Sequence, residues 1–132
     1  MAVPGLTTIK SSHPPEATMN RLEAAIKAKG LTVFARIDHA DGASAAGLSL
    51  RPTELLIFGN AKGGTPLMQA VQTIGIDLPL KALVWQDASG ETWLSWNDPA
   101  WLAARHRVNG VEATTGKLAA LLQDLAKSAT AA

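Results

Sequence analysis

The sequence predicts an α+β fold, a single compact domain in which helices pack against a sheet of short strands. Three observations carry this. Leu55–Phe58 (LLIF) is an apolar run with no polar interruption, as in an interior strand covered on both sides. Leu80–Gln86 and Glu91–Asn97 flank Asp87-Ala88-Ser89-Gly90, a polar hairpin connection ending in glycine. Met19, Leu22 and Ile26, and later Leu118, Leu121, Leu122 and Leu125, recur at helical spacing and must bury against another layer.

Leu6–Ser11 is a short strand, its threonines and isoleucine favouring extended backbone. His13-Pro14-Pro15-Glu16 breaks it and opens a helix, with Ser12 or His13 at the cap and Glu16 at the positive end. Gly30 stops that helix, and from Leu31 the period changes to two. Val33, Ala35, Ile37 and His39 are expected on one face of a strand, with Phe34, Arg36 and Asp38 on the other. Residues 40–49 are small and glycine-bearing and read equally as an ordered loop or a short helix. Thr65-Pro66 marks the next helix start, threonine at the cap and proline in the first helical position, and Gly75 marks its end. On the second hairpin strand Trp93, Ser95 and Asn97 share one face and Leu94 and Trp96 the other. One of these two tryptophans is thus expected in the core and the other at an interface or pocket. Asp98-Pro99 allows a helix in which Trp101 and Leu102 pack, and Thr115 caps a last helix. Residues 128–132 are expected to fray. Neither a repeat nor a linker divides the chain, so residues 1–132 are expected to form one domain.

Composition narrows the function classes. Apolar residues make up 47% of the chain, which argues against gross disorder. Twelve Lys and Arg against eleven Asp and Glu supply no broad field for a phosphate backbone, so no nucleic-acid partner is expected. The absence of cysteine excludes disulfides, thiol nucleophiles and thiolate metal sites. The start, MAVPGLTTIK, has no basic residues followed by a long apolar run, and no apolar span approaches the ~20 residues that cross a bilayer. The expectation is a cytoplasmic chain with no membrane partner.

Of the three histidines, His13 and His106 suit helix ends, whereas His39 closes a strand beside Asp38 and Asp41. No two histidines share the spacing of a zinc helix, so no metal site is expected, and no motif asks for a cofactor. Gly59-Asn60-Ala61-Lys62-Gly63-Gly64-Thr65 leads from a strand into a helix, a context that presents backbone N–H groups and the Lys62 charge to an anion. It lacks the spacing of a GxxxxGK[ST] phosphate loop, and turn chemistry alone accounts for its glycines. Arg51, Glu54, Asn60, Lys62, Lys81 and Asn97 flank strand ends; Glu54 serves as an acid or base only if it shares a cleft with a substrate. Trp85, Trp93 and Trp96 cluster on the hairpin without interleaved basic residues, which favours packing or a dimer interface over base stacking.

Several segments together resemble the bacterial domain of unknown function called DUF302. They are Phe34–His39, Leu50–Asn60, Gly64–Met68, Gly75–Lys81 and Trp93–Pro99, and the resemblance is strongest over residues 31–105. It implies a mainly antiparallel sheet with helices packed on it, and a homodimer. The family's recurring polar residues fall here on His39, Glu54, Asn60, Lys81 and Asn97, which the resemblance groups into one cleft. Trp96 stands where similar proteins carry tyrosine, which weakens any proton transfer through that position.

Three uses fit these residues. The first is a small-molecule module for a polar or anionic ligand held between the sheet and the Gly59–Pro66 turn, with Asn60, Lys62 and Asn97 as binding residues. The second is a cofactor-independent hydrolase or isomerase with Glu54 or His39 as general base and Lys81 or Lys62 stabilising charge. The third is a structural homodimer or protein-interaction module presenting the tryptophan hairpin.

Overall fold

The computed structural model describes residues 2–132. In chain order the elements are β1 (Leu6–Lys10), α1 (Pro15–Ala28), β2 (Thr32–Asp38), α2 (His39–Ala45), β3 (Thr53–Gly59) and α3 (Ala61–Ala70). A 3₁₀ turn at Gln72–Asp77 follows, then β4 (Leu80–Gln86), β5 (Thr92–Asn97), α4 (Pro99–Arg105) and α5 (Glu112–Thr130). The five strands form one sheet in the order β1-β5-β4-β3-β2, every pairing antiparallel.

Strand alternation gives this sheet two unlike faces. Leu56, Phe58, Leu80, Ala82, Val84, Leu94 and Trp96 are buried and form one core with Met19, Leu22 and Ile26 of α1 and Leu118, Leu122 and Leu125 of α5. Each of the leucine, isoleucine, valine, phenylalanine and methionine side chains contributes roughly 1.5–3 kcal/mol by leaving water. The opposite face carries Leu55, Ile57, Leu83, Trp85 and Trp93, which are only half-buried and lie outside that core. Trp96 and Trp93 thus divide between core and open face, as their alternation predicts. On the open face Trp85 stacks on Trp93 with ring centroids 6.2 Å apart and donates from Nε1 to Ser95 Oγ at 2.9 Å. The Trp93 indole donates to Asp87 Oδ2 at 2.8 Å, tying the ring to the hairpin turn.

Four local expectations are corrected. The β2 register slips between Val33 and Ala35, so Val33 pairs with Phe58 and Arg36 with Leu56 on the helix side. Ala35 and Ile37 pair with Ile57 and Leu55 on the open side. His39 does not continue β2 but begins α2, because the Asp38 carboxylate accepts the Asp41 N–H and caps a helix there. The third helix starts at Ala61, not at Thr65-Pro66. Asn60 Oδ1 accepts the Gly63 N–H at 2.7 Å, and the proline falls inside the helix. Pro66 cannot donate to the Lys62 carbonyl, but Lys62 sits in the exposed first turn, where water reaches that oxygen.

The C-terminus is the fourth correction. Instead of fraying from residue 128, α5 runs to Thr130, with Ala129 and Thr130 buried. The Ser12 N–H donates to the Thr130 carbonyl at 2.8 Å, and the Arg21 guanidinium donates to the carbonyls of Ser128 and Ala129. Small alanines let this end lie against α1, and the strand-to-helix turn at Ser11–Pro14 holds it. Near the other terminus, Leu102 enters the core but Trp101 remains outside it. The Trp101 indole lies flat on Gly5, where φ is +72° and any Cβ would overlap the ring.

Candidate functional site

The residues expected to share one cleft occupy separate places. Glu54 is the second residue of β3, on the helix side of the sheet, and Asn60 follows the far end of that strand. Six residues of extended chain separate them by about 20 Å. Lys81 pairs with Ile57 and points to the open face, as does Asn97 opposite Leu6. His39 is exposed at the start of α2. The single ring of polar side chains is therefore not formed, because strand parity puts Glu54 and Lys81 on opposite faces and the length of β3 separates Glu54 from Asn60.

Glu54 is locked in a fork. Arg36 Nε donates to Glu54 Oε2 at 2.9 Å and Nη2 to Oε1 at 3.0 Å, while Nη1 reaches Asn20 Oδ1 at 2.9 Å. The hydrogen bonds to Glu54 hold the Arg36 guanidinium more firmly protonated than usual, against the opposing effect of burial. This pair lies in a polar cleft bordered by Glu16, Asp38 and Asp41. Among the described residues no group of three His, Cys, Asp or Glu side chains is placed to hold a metal ion. A general base at Glu54 has an arginine, and neither Lys81 nor Lys62, beside it.

Among the described residues no carboxylate forms a salt bridge with the Lys81 ammonium. Nζ donates to the carbonyls of Pro79 at 3.0 Å and Asp77 at 3.3 Å, and burial pushes its pKa down more than Asp77 restores it. The Asp77 carboxylate instead joins the 3₁₀ turn to α4: Arg105 donates two bonds of 2.7 and 2.8 Å, and His106 Nε2 lies at 2.5 Å. Burial raises the Asp77 pKa, but the hydrogen bonds from His106 and Arg105 outweigh it and leave the carboxyl below its ordinary value. His106, suited by sequence to a helix end, sits at the C-terminal cap of α4.

The cavity lies at the other end of the sheet, where β3 turns into α3. It has a volume of about 500 Å³ and is walled by Leu31 and Phe34 of the β2 side, Met68 of α3, Leu78–Leu80 before and at β4, and Leu118 and Leu121 of α5. Asn60, Gly63, Gly64 and Thr65 form its floor, and Lys117 is the charged residue on its wall. Gly59, Gly63, Gly64 and Gly75 all line it. A Cβ at Gly63 would stand 3.3 Å from Asn60 Oδ1 and 3.4 Å from Leu118, and one at Gly75 would stand 3.3 Å from Met68 Sδ. Of the residues expected to bind a ligand, Asn60 lines this cavity, whereas Lys62 and Asn97 do not. Sequence reasoning placed a site against the Gly59–Pro66 turn but missed Lys117, Leu118 and Leu121. The i, i+3 spacing of the two leucines was visible, yet it is the same for a core stripe and a cavity wall.

A family model described as "Domain of unknown function DUF302" matches residues 7–125. The chain is 56% identical over 102 residues to the fluoride-specific ion channel FluC 1 of Brucella suis biovar 1, a match covering 77% of this chain and 40% of the relative. Fluoride-specific ion channel FluC 2 of Brucella melitensis biotype 1 matches with the same identity over 77% of this chain and 38% of its own length. The chain therefore spans about two fifths of the length of the curated relatives it matches. Among the described residues no helix is long and apolar enough to cross a membrane. The crystal structure of an uncharacterized conserved protein DUF302 from Bacillus stearothermophilus has the same fold. It superposes with a TM-score of 0.86 at 20% identity, covering 96% of this chain and 99% of that one.

Proposed function

Because the chain belongs to the DUF302 family, whose description names no activity, we propose its function from the cavity at the β3–α3 joint: it is a small-ligand-binding domain. The observation that carries this reading is a largely apolar hollow of about 500 Å³ with Gly59, Gly63, Gly64 and Gly75 in its lining. Its volume falls in the range of sites for small organic molecules, and apolar walls with a few polar groups are the usual lining of such sites. Glu54, His39 and Lys81 take no part in it. In place of the polar or anionic ligand expected from the sequence, the apolar lining favours a molecule with an apolar body. Gly64→Leu tests this, since a Cβ at Gly64 already stands 3.5 Å from Leu78 and a longer side chain fills the hollow. Thermal stabilisation of the wild type by an apolar probe should vanish in the variant; equal stabilisation of both proteins places binding elsewhere.

The domain acts as a homodimer in this reading. The half-exposed apolar rows of the open sheet face support it, since a face of Leu55, Ile57, Leu83, Trp85 and Trp93 gains by burial against a second copy.

A second reading comes from the channel relatives. Identity of 56% to part of two fluoride-specific channels supports a role beside such a channel, in the same chain or as its partner. Without a membrane-crossing helix among its described residues, the domain would regulate the pore and not line it. Adding the purified chain to vesicles that hold a fluoride channel should change the fluoride efflux rate; an unchanged rate removes this reading.

A further inference from the structure

The geometry points to an anionic amphiphile, an alkyl or aryl body with a carboxylate or similar head, as the occupant of the β3–α3 cavity. This inference rests on the ligand-binding reading and adds the ligand's charge and polarity pattern. Among the described residues no carboxylate lines the cavity, and Lys117 is the one charged residue on its wall. Among the described residues Lys117 makes no salt bridge, so its ammonium is not neutralised by a neighbour. A single cation beside an otherwise apolar hollow favours a ligand whose charge sits at one end, where water still reaches it. Beside Lys117 the lining also offers donors to a head group: the Asn60 side chain keeps its amide N–H groups while Oδ1 accepts the Gly63 N–H, and the Thr65 hydroxyl can donate. A neutral ligand leaves Lys117 without a role, and a cationic one meets it as a like charge.

Isothermal titration of the full chain with decanoate, decanol and decyltrimethylammonium tests this, because the three share a tail and differ in the head. Decanoate should bind about threefold to fivefold more tightly than decanol, the scale of one solvent-accessible ion pair, and the advantage should shrink as salt is raised. Lys117→Gln should bring decanoate down to the affinity of decanol and leave decanol unchanged. Lys127→Gln, on the same helix but away from the cavity wall, should change neither. Equal binding of decanoate and decanol, a preference for the cationic probe, or an unaltered ratio in Lys117→Gln would overturn the charge assignment while leaving the cavity as a ligand site. Failure of all three probes to bind would overturn the ligand-binding reading together with this one.

Discussion

The Arg36–Glu54 fork decides whether Glu54 holds the sheet edge together or stands ready as a base. Two bonds of 2.9 and 3.0 Å join side chains whose exposures are 27% and 19%. A hydrogen bond to a charged group is worth about 1.5–3 kcal/mol where water is excluded, whereas a fully exposed ion pair yields about 0.2–1 kcal/mol. With a fifth to a quarter of each side chain in water, a coupling of about 1.5 kcal/mol is expected between the two. The cycle compares wild type, Arg36→Met, Glu54→Gln and the double variant by urea denaturation, so the separate bond from Arg36 to Asn20 cancels. Unfolding entropy of about 2.1 cal/mol/K per residue gives about 0.28 kcal/mol/K over 132 residues. A stability change of about 1.5 kcal/mol therefore lowers Tm by about 5 °C. A coupling near zero would show that the fork does not stabilise the fold and would return Glu54 to the list of groups free for chemistry.

Three further outcomes follow from the same structure. Asn60→Ala removes the α3 cap and should cost about 1 kcal/mol, or about 4 °C in Tm on the same slope, while Asn60→Asp retains the cap; equal losses would contradict the capping role. Asp77 has its pKa lowered in the folded chain, so its contribution is complete above the ordinary carboxylate pKa and is lost as pH falls through the lowered value. Denaturation across the acid range should therefore show a shallower loss of stability in Asp77→Asn, and an unchanged pH slope would remove the carboxylate from that role. Leu83→Glu places a charge in the middle of the open sheet face, and sedimentation should show a folded particle at the 13.8 kDa monomer mass, against the doubled mass that the proposed homodimer requires of the wild type. A variant that stays dimeric would move the interface away from this face.

The fold was largely legible because its signals are local. LLIF, the Asp87–Gly90 turn and the stripe Met19, Leu22, Ile26 each announce an element through spacing alone, and Met19, Leu22, Ile26, Leu56 and Phe58 are buried; Leu55 and Ile57 are only half-buried, so the LLIF strand is covered on one side and not on both. The site was less legible because it depends on parity and distance across the sheet. A one-residue irregularity in β2 brings Arg36 to the helix side opposite Leu56, where it meets Glu54, and nothing in the local pattern marks that slip. The start of α3 was obscured by competing caps. Thr65-Pro66 carries the stronger sequence signal, but Asn60 captures the Gly63 N–H four residues after the last core residue but one of β3, Leu56. Lys117 carries no sequence signal of its own beside the leucine stripe, and only the packing of α5 against the β3–α3 joint places it on a cavity wall.

The central claim is that the hollow at the β3–α3 joint receives a ligand. Its most direct test is a two-dimensional amide NMR titration of the full chain with decanoate. Saturable shifts are expected at Gly63, Gly64, Gly75 and Leu118, with Arg36, Asp41 and Glu54 at the far cleft left unmoved. Shifts centred on that far cleft, or no saturable shift at all, would contradict it.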